Sequence, residues 1–456
     1  LAHAPHNDPR HATALAHDAI AAGNIPLAWC AASELRRRKL ATPAILNMLG
    51  LIEVKVGAYA AARAACAEAL AMAPRDKTLR ENLHHALDLE SRFGANALVG
   101  DPPPPELAGI GRVHLIRAWG FGFCADLDHV LGHALLAEIQ GRTPVVWWGA
   151  SSLFHDDGAG PHANAWETFF EPVGDVGAVA DALMAFGPTP GAIYPSKWRD
   201  GAAGGAAVRD RLAGPALNAF AGDGSRLGSP LLVNRAEAIT VGDYFVGPIE
   251  AQTWAGPTHW SFRTPIDAVY RVLVDRYLRP TPRVRELVDR AAAELGLGDP
   301  SRPVIAVHVR EGDKAVEMPT MREHNADAMQ VVRDQLAAAP WATGQRWRVL
   351  LITDSTHAVA RYRAEFGDRV LVLDAARSSD DRGVHIGSGS APRQHLGLEV
   401  LRDILLAARC DRFVGVAFSN VAAMISHLRE WPKGSCTLIG EPLQGQINFL
   451  PHVWPG

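Results

Sequence analysis

Three hydrophobic patterns follow one another along the chain. Over residues 9–90 Ala and Leu recur at helical spacing with almost no strand signal, so helices are predicted throughout. From Arg112 the pattern changes. Arg112–Ile116 reads as a short buried strand, Leu127, Val130, Leu131, Ala134, Leu135 and Ile139 as a helix, and Val145–Trp148 as a second strand. Strand, glycine turn, helix, strand is the start of a parallel βαβ unit. Residues 185–262 are rich in Gly, Ala and Pro and show little period. Ile266–Leu278 and Val284–Leu295 then read as helices separated by Pro280 and Pro282. The third region alternates again. Val304–Val309, Arg348–Thr353, Val370–Leu373 and Arg412–Val416 have the composition of buried parallel strands. Ala326–Ala338, Ala358–Phe366, Leu396–Ala408 and Val421–Leu428 read as the helices between and after them.

The first region also repeats. Leu15, Leu49 and Leu83 stand at intervals of 34, as do Gly23 and Gly57, and Ala28 and Ala62. Pro74 closes the second unit, and small residues at Gly50, Ala62 and Ala69 permit close helix approach. This resembles tetratricopeptide repeats, two full units and a third begun at Thr78–Arg92. So few repeats are marginal alone, so the array is expected to lean on the next domain, and such arrays present a concave surface to a peptide or protein partner. Four consecutive prolines, Pro102–Pro105, make a stiff spacer. The division expected is repeats over 1–93, a Pro-rich linker over 94–110, a first α/β half over 111–298 and a second over 299–456.

Composition narrows the function classes. The 456 residues are 48% apolar and 21% charged, with a net charge of −4, so no overall field favours nucleic acid or an anionic membrane. Cys30, Cys66, Cys124, Cys410 and Cys436 are scattered and never form a CxxC pair, which argues against structural zinc and for a reducing, cytoplasmic setting. No apolar run reaches the length of a transmembrane helix, and no signal-peptide pattern follows Leu1.

Candidate chemistry gathers at strand ends. After Val304–Val309 the residues His308, Arg310, Glu311, Asp313 and Lys314 arrive together. Ligands of open α/β sheets bind beyond the carboxyl ends of strands, and an Arg there suits a phosphate because its planar fork can bond two oxygens. Ser419 and Asn420 follow the strand Arg412–Val416 and precede a helix, where either would cap and the first-turn amides would face an anion. Gly120-x-Gly122 permits close backbone approach at another helix start, but without a third Gly it is no dinucleotide fingerprint. His129 and His133 share a helix face; packing is favoured over metal binding. Asn164–Pro172 is expected to pack an aromatic loop over the sheet, and Trp254, His259, Trp260 and Phe262 form an aromatic cluster suited to the core or to a sugar ring. Arg377–Pro392, with His385, is long enough to be a lid or substrate loop. No Walker A, HExxH, GxSxG or kinase signature is present, and no DxD pair closes a strand.

The residues from Arg112 to Leu428 resemble the α1,6-fucosyltransferases, the rhizobial chitooligosaccharide enzymes and the animal core-fucosylating enzymes. The matching pieces are Gly120–Cys124, Leu127–Val130, Trp166–Pro172, Tyr277–Pro282, Pro303–Lys314, Ile352–Asp354, and Asp403 ahead of Ser419. The resemblance implies a GT-B-like fold of two Rossmann-like halves and an inverting transfer from GDP-fucose that uses no metal and no cofactor. Carried over by position, His308 and Asp403 contact guanine, Arg310 and Ser419 with the amides from Asn420 bind the diphosphate, and Gly120, Phe121, Gly122 and Phe123 line the donor cleft. Lys314 matches a lysine near the catalytic base. Glu317 is the nearest candidate for that base, one residue early. The family often has a second Arg after Arg310, where this chain has Glu311. That leaves the donor open between GDP-fucose and another nucleotide sugar such as GDP-mannose. Three readings of the whole chain stand side by side: transfer to a glycan acceptor, transfer to a protein recruited by the repeats, and a nucleotide-binding scaffold without catalysis.

Overall fold

The structure is a computed structural model that describes residues 9–21, 25–55, 59–93, 107, 109–156, 158, 160, 162–189, 191–199, 201–215, 229–233, 235–252, 254–255, 258–262, 264–311, 321–338, 346–379 and 393–440. Among these residues five helices come first: α1 (Pro9–Ala21), α2 (Ile25–Arg37), α3 (Pro43–Lys55), α4 (Tyr59–Met72) and α5 (Lys77–Phe93). α1, α3 and α5 start at residues 9, 43 and 77, and α2 and α4 at 25 and 59, so the interval of 34 is one helix pair. Local chemistry sets the starts. Thr42 Oγ1 accepts the N–H of Ile45 at 3.3 Å ahead of Pro43, and Asp76 Oδ1 accepts the N–H of Leu79 at 3.1 Å. A methyl on Gly50 would stand 2.5 Å from Cys66 Sγ, so α3 and α4 approach as closely as the small residues allow. The helices rest on the following domain: Arg235 Nη2 donates to Tyr59 Oη at 3.4 Å, and Trp254 packs against Ala19, Ala28 and Ile52.

Two parallel sheets follow. The first holds β1 (Val113–Ile116), β2 (Thr143–Val146), β3 (Ile193–Tyr194) and β4 (Ile239–Gly242) in the order β2-β1-β4-β3. Around it lie α6 (Phe123–Ile139), α7 (Trp166–Phe169), α8 (Val176–Phe186), α9 (Gly205–Ala213), α10 (Ser229–Leu232) and α11 (Pro248–Gln252). α12 (Ile266–Tyr277) and α13 (Pro282–Leu295) lead to the second sheet. Thr281 caps α13 by accepting from Val284 N–H, and Gly296 ends it in the left-handed region at φ 61°. The second sheet is β7-β6-β5-β8-β9, built from β5 (Val304–Val309), β6 (Arg348–Thr353), β7 (Val370–Val372), β8 (Arg412–Val416) and β9 (Cys436–Ile439). Its helices are α14 (Met321–Ala338), α15 (Thr356–Phe366), α16 (Arg393–Ala407) and α17 (Asn420–His427). The strand order reverses between β5 and β8. In a doubly wound sheet that reversal opens the ligand crevice at the strand carboxyl ends.

Three expectations change. The second strand is Thr143–Val146, not Val145–Trp148. Asn164 takes over from a strand partner there: its Oδ1 accepts Trp148 N–H and its Nδ2 donates to Val146 O, both at 2.9 Å. Residues 185–262 hold β3 and β4, too short for periodicity to reveal. β9 also went unread. The aromatic segment does pack inward, with Trp166, Phe169 and Phe170 buried.

His129 and His133 are buried within the first half rather than exposed for a ligand. His133 Nε2 meets Tyr244 O at 2.8 Å, so that nitrogen carries the proton. His133 Nδ1 then accepts from His114 Nε2 at 2.9 Å, and His114 Nδ1 accepts from Thr240 Oγ1 at 2.7 Å. His129 donates from Nε2 to Arg117 O at 2.9 Å. Each ring is neutral in this pattern. Burial holds His114 well below the ordinary range and lowers His133 to about 4. These depressed values mean that the two rings bind more protons in the unfolded chain between about pH 6.5 and pH 4, so the stability they contribute is lost as pH falls through that window. Because the raised Asp403, Asp128 and Glu53 carboxyls act in the opposite sense, the test is the difference: between pH 7 and pH 5 the urea midpoint of His133→Asn should gain on that of wild type, and the same pH dependence in both would contradict the buried neutral chain.

Candidate active site

A cavity of about 330 Å³ lies between the carboxyl ends of the two sheets. The second half contributes His308, Arg310, Thr353, Asp354, Ala376, Glu399, Asp403, Ser419 and Asn420 to its lining. The first half contributes Trp119, Phe121, Gly122, Phe123, Cys124 and Phe154. The volume falls within the range of small-molecule sites, and the mix of aromatic walls with a few convergent polar groups is typical of them.

β5 is buried along its whole length and delivers His308 and Arg310 to one end. His308 is 4% exposed, and its Nδ1 has no hydrogen-bond partner. Burial, helped by the nearby Arg310 charge, lowers it to about 3, so the ring is neutral. Arg310 leaves the strand with its backbone and side chain both held. Asn325 of α14 donates Nδ2–H to Arg310 O at 2.7 Å, and Arg310 Nη1 pairs with Asp354 Oδ2 at 2.9 Å. Asp354 Oδ1 also accepts the N–H of Glu311 at 3.1 Å, tying the ends of β5 and β6 together.

Glu311 turns toward α15 and does not line the cavity. Ser355 Oγ donates to its carboxylate at 2.5 Å, and Arg361 forms an ion pair with it. The same Ser355 Oγ accepts from Ala358 N–H at the start of α15. The negative charge that follows Arg310 is thus engaged on the helix side.

Asp403 lies on α16, one turn beyond Glu399. It is 8% exposed, and Arg402 Nε donates to its Oδ1 at 3.0 Å. Burial raises its carboxyl to about 6, although Arg402 and Arg377 pull the other way. Glu399 Oε2 accepts the N–H of Ala376 at 3.1 Å and Oε1 stands 3.3 Å from His395.

Two helices begin at the cavity. Ser419 is the N-cap residue of α17, but its side chain makes no capping bond, contrary to expectation. The α6 cap, Gly122, has no side chain to offer. Neither N-cap residue caps its helix through a side chain, and both N-termini aim positive partial charge toward the cavity, the α6 end offset by the buried Asp126 carboxylate in its first turn. Gly120 does not line the cavity. It shapes the loop instead, at φ 90°, with its N–H bonded to Asp126 Oδ1 at 3.1 Å. Phe121 is 39% exposed and leans on Trp119, with ring centroids 4.2 Å apart. Phe123 is core, edge-on to Phe154 and Phe169 at 5.0 Å.

Eight expected residues thus meet in one cavity: Phe121, Gly122, Phe123, His308, Arg310, Asp403, Ser419 and Asn420. Lys314 and Glu317 lie outside the described residues, as does most of the loop with His385. Asp354 and Glu399 were missed as site residues. Asp354 carried the same signal as Arg310, a charged residue just past a buried strand, and Glu399 is four positions from Asp403 on a helix face. Among the described residues no group of three His, Cys, Asp or Glu could hold a metal ion, and no helix is long and apolar enough to cross a membrane. Trp260 and Trp254 donate to Glu138 at 2.7 Å and to Ser229 at 2.9 Å, and both pack against the core.

No family model matches the chain, and no curated protein does. Solved structures give distant likenesses. NodZ α-1,6-fucosyltransferase from Bradyrhizobium, soaked with GDP-fucose, is 18% identical over 70% of this chain and 92% of its own, with a TM-score of 0.44. POFUT1 in complex with GDP-fucose is 13% identical over 72% and 99%, with a TM-score of 0.40. A mutant of Arabidopsis thaliana FUT1 in complex with GDP is 13% identical over 76% and 75%, with a TM-score of 0.38.

Proposed function

We propose that the chain is an inverting, metal-independent glycosyltransferase that passes fucose from GDP-fucose to a glycan acceptor. One observation carries the reading: His308, Arg310, Asp403 and the α17 N-terminus converge on a cavity that the α6 N-terminus and Phe121–Phe123 close from the other sheet. Arg310 and the two helix N-termini supply positive field for a diphosphate. The buried Asp403 carboxylate matches the N1–H and N2–H donors of guanine, and neutral His308 offers Nδ1 in the same cavity.

The acceptor oxygen bonds to the anomeric carbon as the bond to the β-phosphate oxygen breaks. Its proton goes to a carboxylate, for which Glu317 is the candidate, and the electron pair leaves with GDP. Arg310 and the helix amides meet the charge that grows on GDP, which is the term that most often dominates such catalysis. No step needs a divalent cation or a cofactor. GDP-fucose is favoured over GDP-mannose by the resemblance alone.

The α1–α5 array is proposed to be tetratricopeptide-like and to hold a partner. A polypeptide acceptor held by this array is the second reading. Released GDP, measured with GDP-fucose, GDP-mannose and UDP-sugars in EDTA, tests the donor assignment. GDP-fucose should turn over without metal; turnover confined to UDP-sugars or dependent on Mn²⁺ would overturn it.

A further inference from the structure

Arg310 shares the cavity with a carboxylate at contact distance. Asp354 Oδ2 lies 2.9 Å from its Nη1, and both side chains line the cavity. Asp354 is held firmly. Its Oδ1 accepts Glu311 N–H at 3.1 Å, and its carbonyl accepts Ser378 N–H at 2.8 Å. The carboxylate therefore cannot swing away without breaking the tie between β5 and β6.

A diphosphate that docks on Arg310 meets this anion. Like charges a few ångströms apart in a half-buried site repel strongly, because little water screens them there. Glu311, the next carboxylate along, contributes less, because Ser355 and Arg361 occupy it on the far side.

We infer that Asp354 is the counter-charge of the diphosphate site: it holds Arg310 between turnovers and weakens the grip on the nucleoside diphosphate product so that it leaves. The inference rests on the donor reading above. Asp354 is a positioning residue, acting through Arg310. A sugar nucleotide carries less charge than the free diphosphate it becomes, so the carboxylate discriminates against product more than against donor. Each cycle then ends with Asp354 reclaiming Arg310.

The test is the dissociation constant for GDP and its inhibition constant against donor, in wild type, Asp354→Asn, Asp354→Ser and Glu311→Gln, each checked for a cooperative thermal transition. Asp354→Asn should bind GDP about tenfold tighter or more, with product inhibition strengthened alike. Its kcat and its KM for donor should fall together, a split that loss of structure does not produce. Glu311→Gln should stay near wild type. Equal or weaker GDP binding in a folded Asp354 variant would overturn the inference. So would failure of both Asp354 variants to fold, which would make the pair structural. Wild type that binds no GDP overturns the donor reading itself, and this inference with it.

Discussion

Replacing Arg310 by Ala should lower turnover by about 10²-fold or more while leaving the protein folded. Arg310 stands at the β5/β8 reversal, with its side chain 20% exposed and paired with Asp354. Its loss leaves Asp354 unpaired beside the diphosphate site, so binding suffers twice: one positive charge goes and one negative charge is uncovered. Arg310→Lys should recover only part of the rate, because an ammonium is a point charge without the fork that bonds two phosphate oxygens. Steady-state kinetics with a thermal melt on the same preparation checks this. Turnover within about threefold of wild type would remove Arg310 from the mechanism.

Asp403→Asn should cost roughly 10²-fold in GDP affinity, since two hydrogen bonds to a charged group are each worth about 1.5–3 kcal/mol. The amide can accept one guanine N–H but presents a donor to the other. Selectivity for guanine over adenine nucleotides should fall with it. A pH dependence follows. Burial raises the Asp403 carboxyl to about 6, and only the charged form accepts from both guanine donors. Wild-type affinity should be full above pH 6 and decline as pH falls through it, while Asp403→Asn should be flat there. Stability runs the other way. A raised carboxyl favours the protonated folded form, so the charge lowers stability as pH rises from its ordinary range through 6. Asp403→Asn should accordingly be at least as stable as wild type at pH 7. Titrating GDP binding from pH 5 to pH 8 in both proteins decides it.

The strands of the second half were legible because β5, β6 and β8 are buried on both faces and so appear as unbroken apolar runs. Arg310, His308 and Ser419 followed from that, since each sits at such a strand's carboxyl end. β3 has two residues and β4 four, below the length at which a pattern separates from its surroundings. The end of β2 was misread because Trp147 and Trp148 remain apolar and buried after the ladder stops; the side chain that ends it, Asn164, lies far along the chain. Ser419 illustrates another limit. Residue type predicts a cap, but whether the hydroxyl turns to the helix or to the cavity depends on the tertiary site. Glu311 is similar: its sign was visible, and its pairing with Arg361 was not. In the helical array the interval of 34 was readable because every unit must bury the same face against its neighbours.

The central claim is that Arg310 and two uncapped helix N-termini form a GDP site that needs no metal. Calorimetry of GDP binding, in EDTA and then in Mn²⁺, to wild type and Arg310→Ala tests it most directly. The account predicts binding by wild type that is the same in both buffers and is lost in the variant. Binding that requires Mn²⁺, or that survives the loss of Arg310, would contradict it.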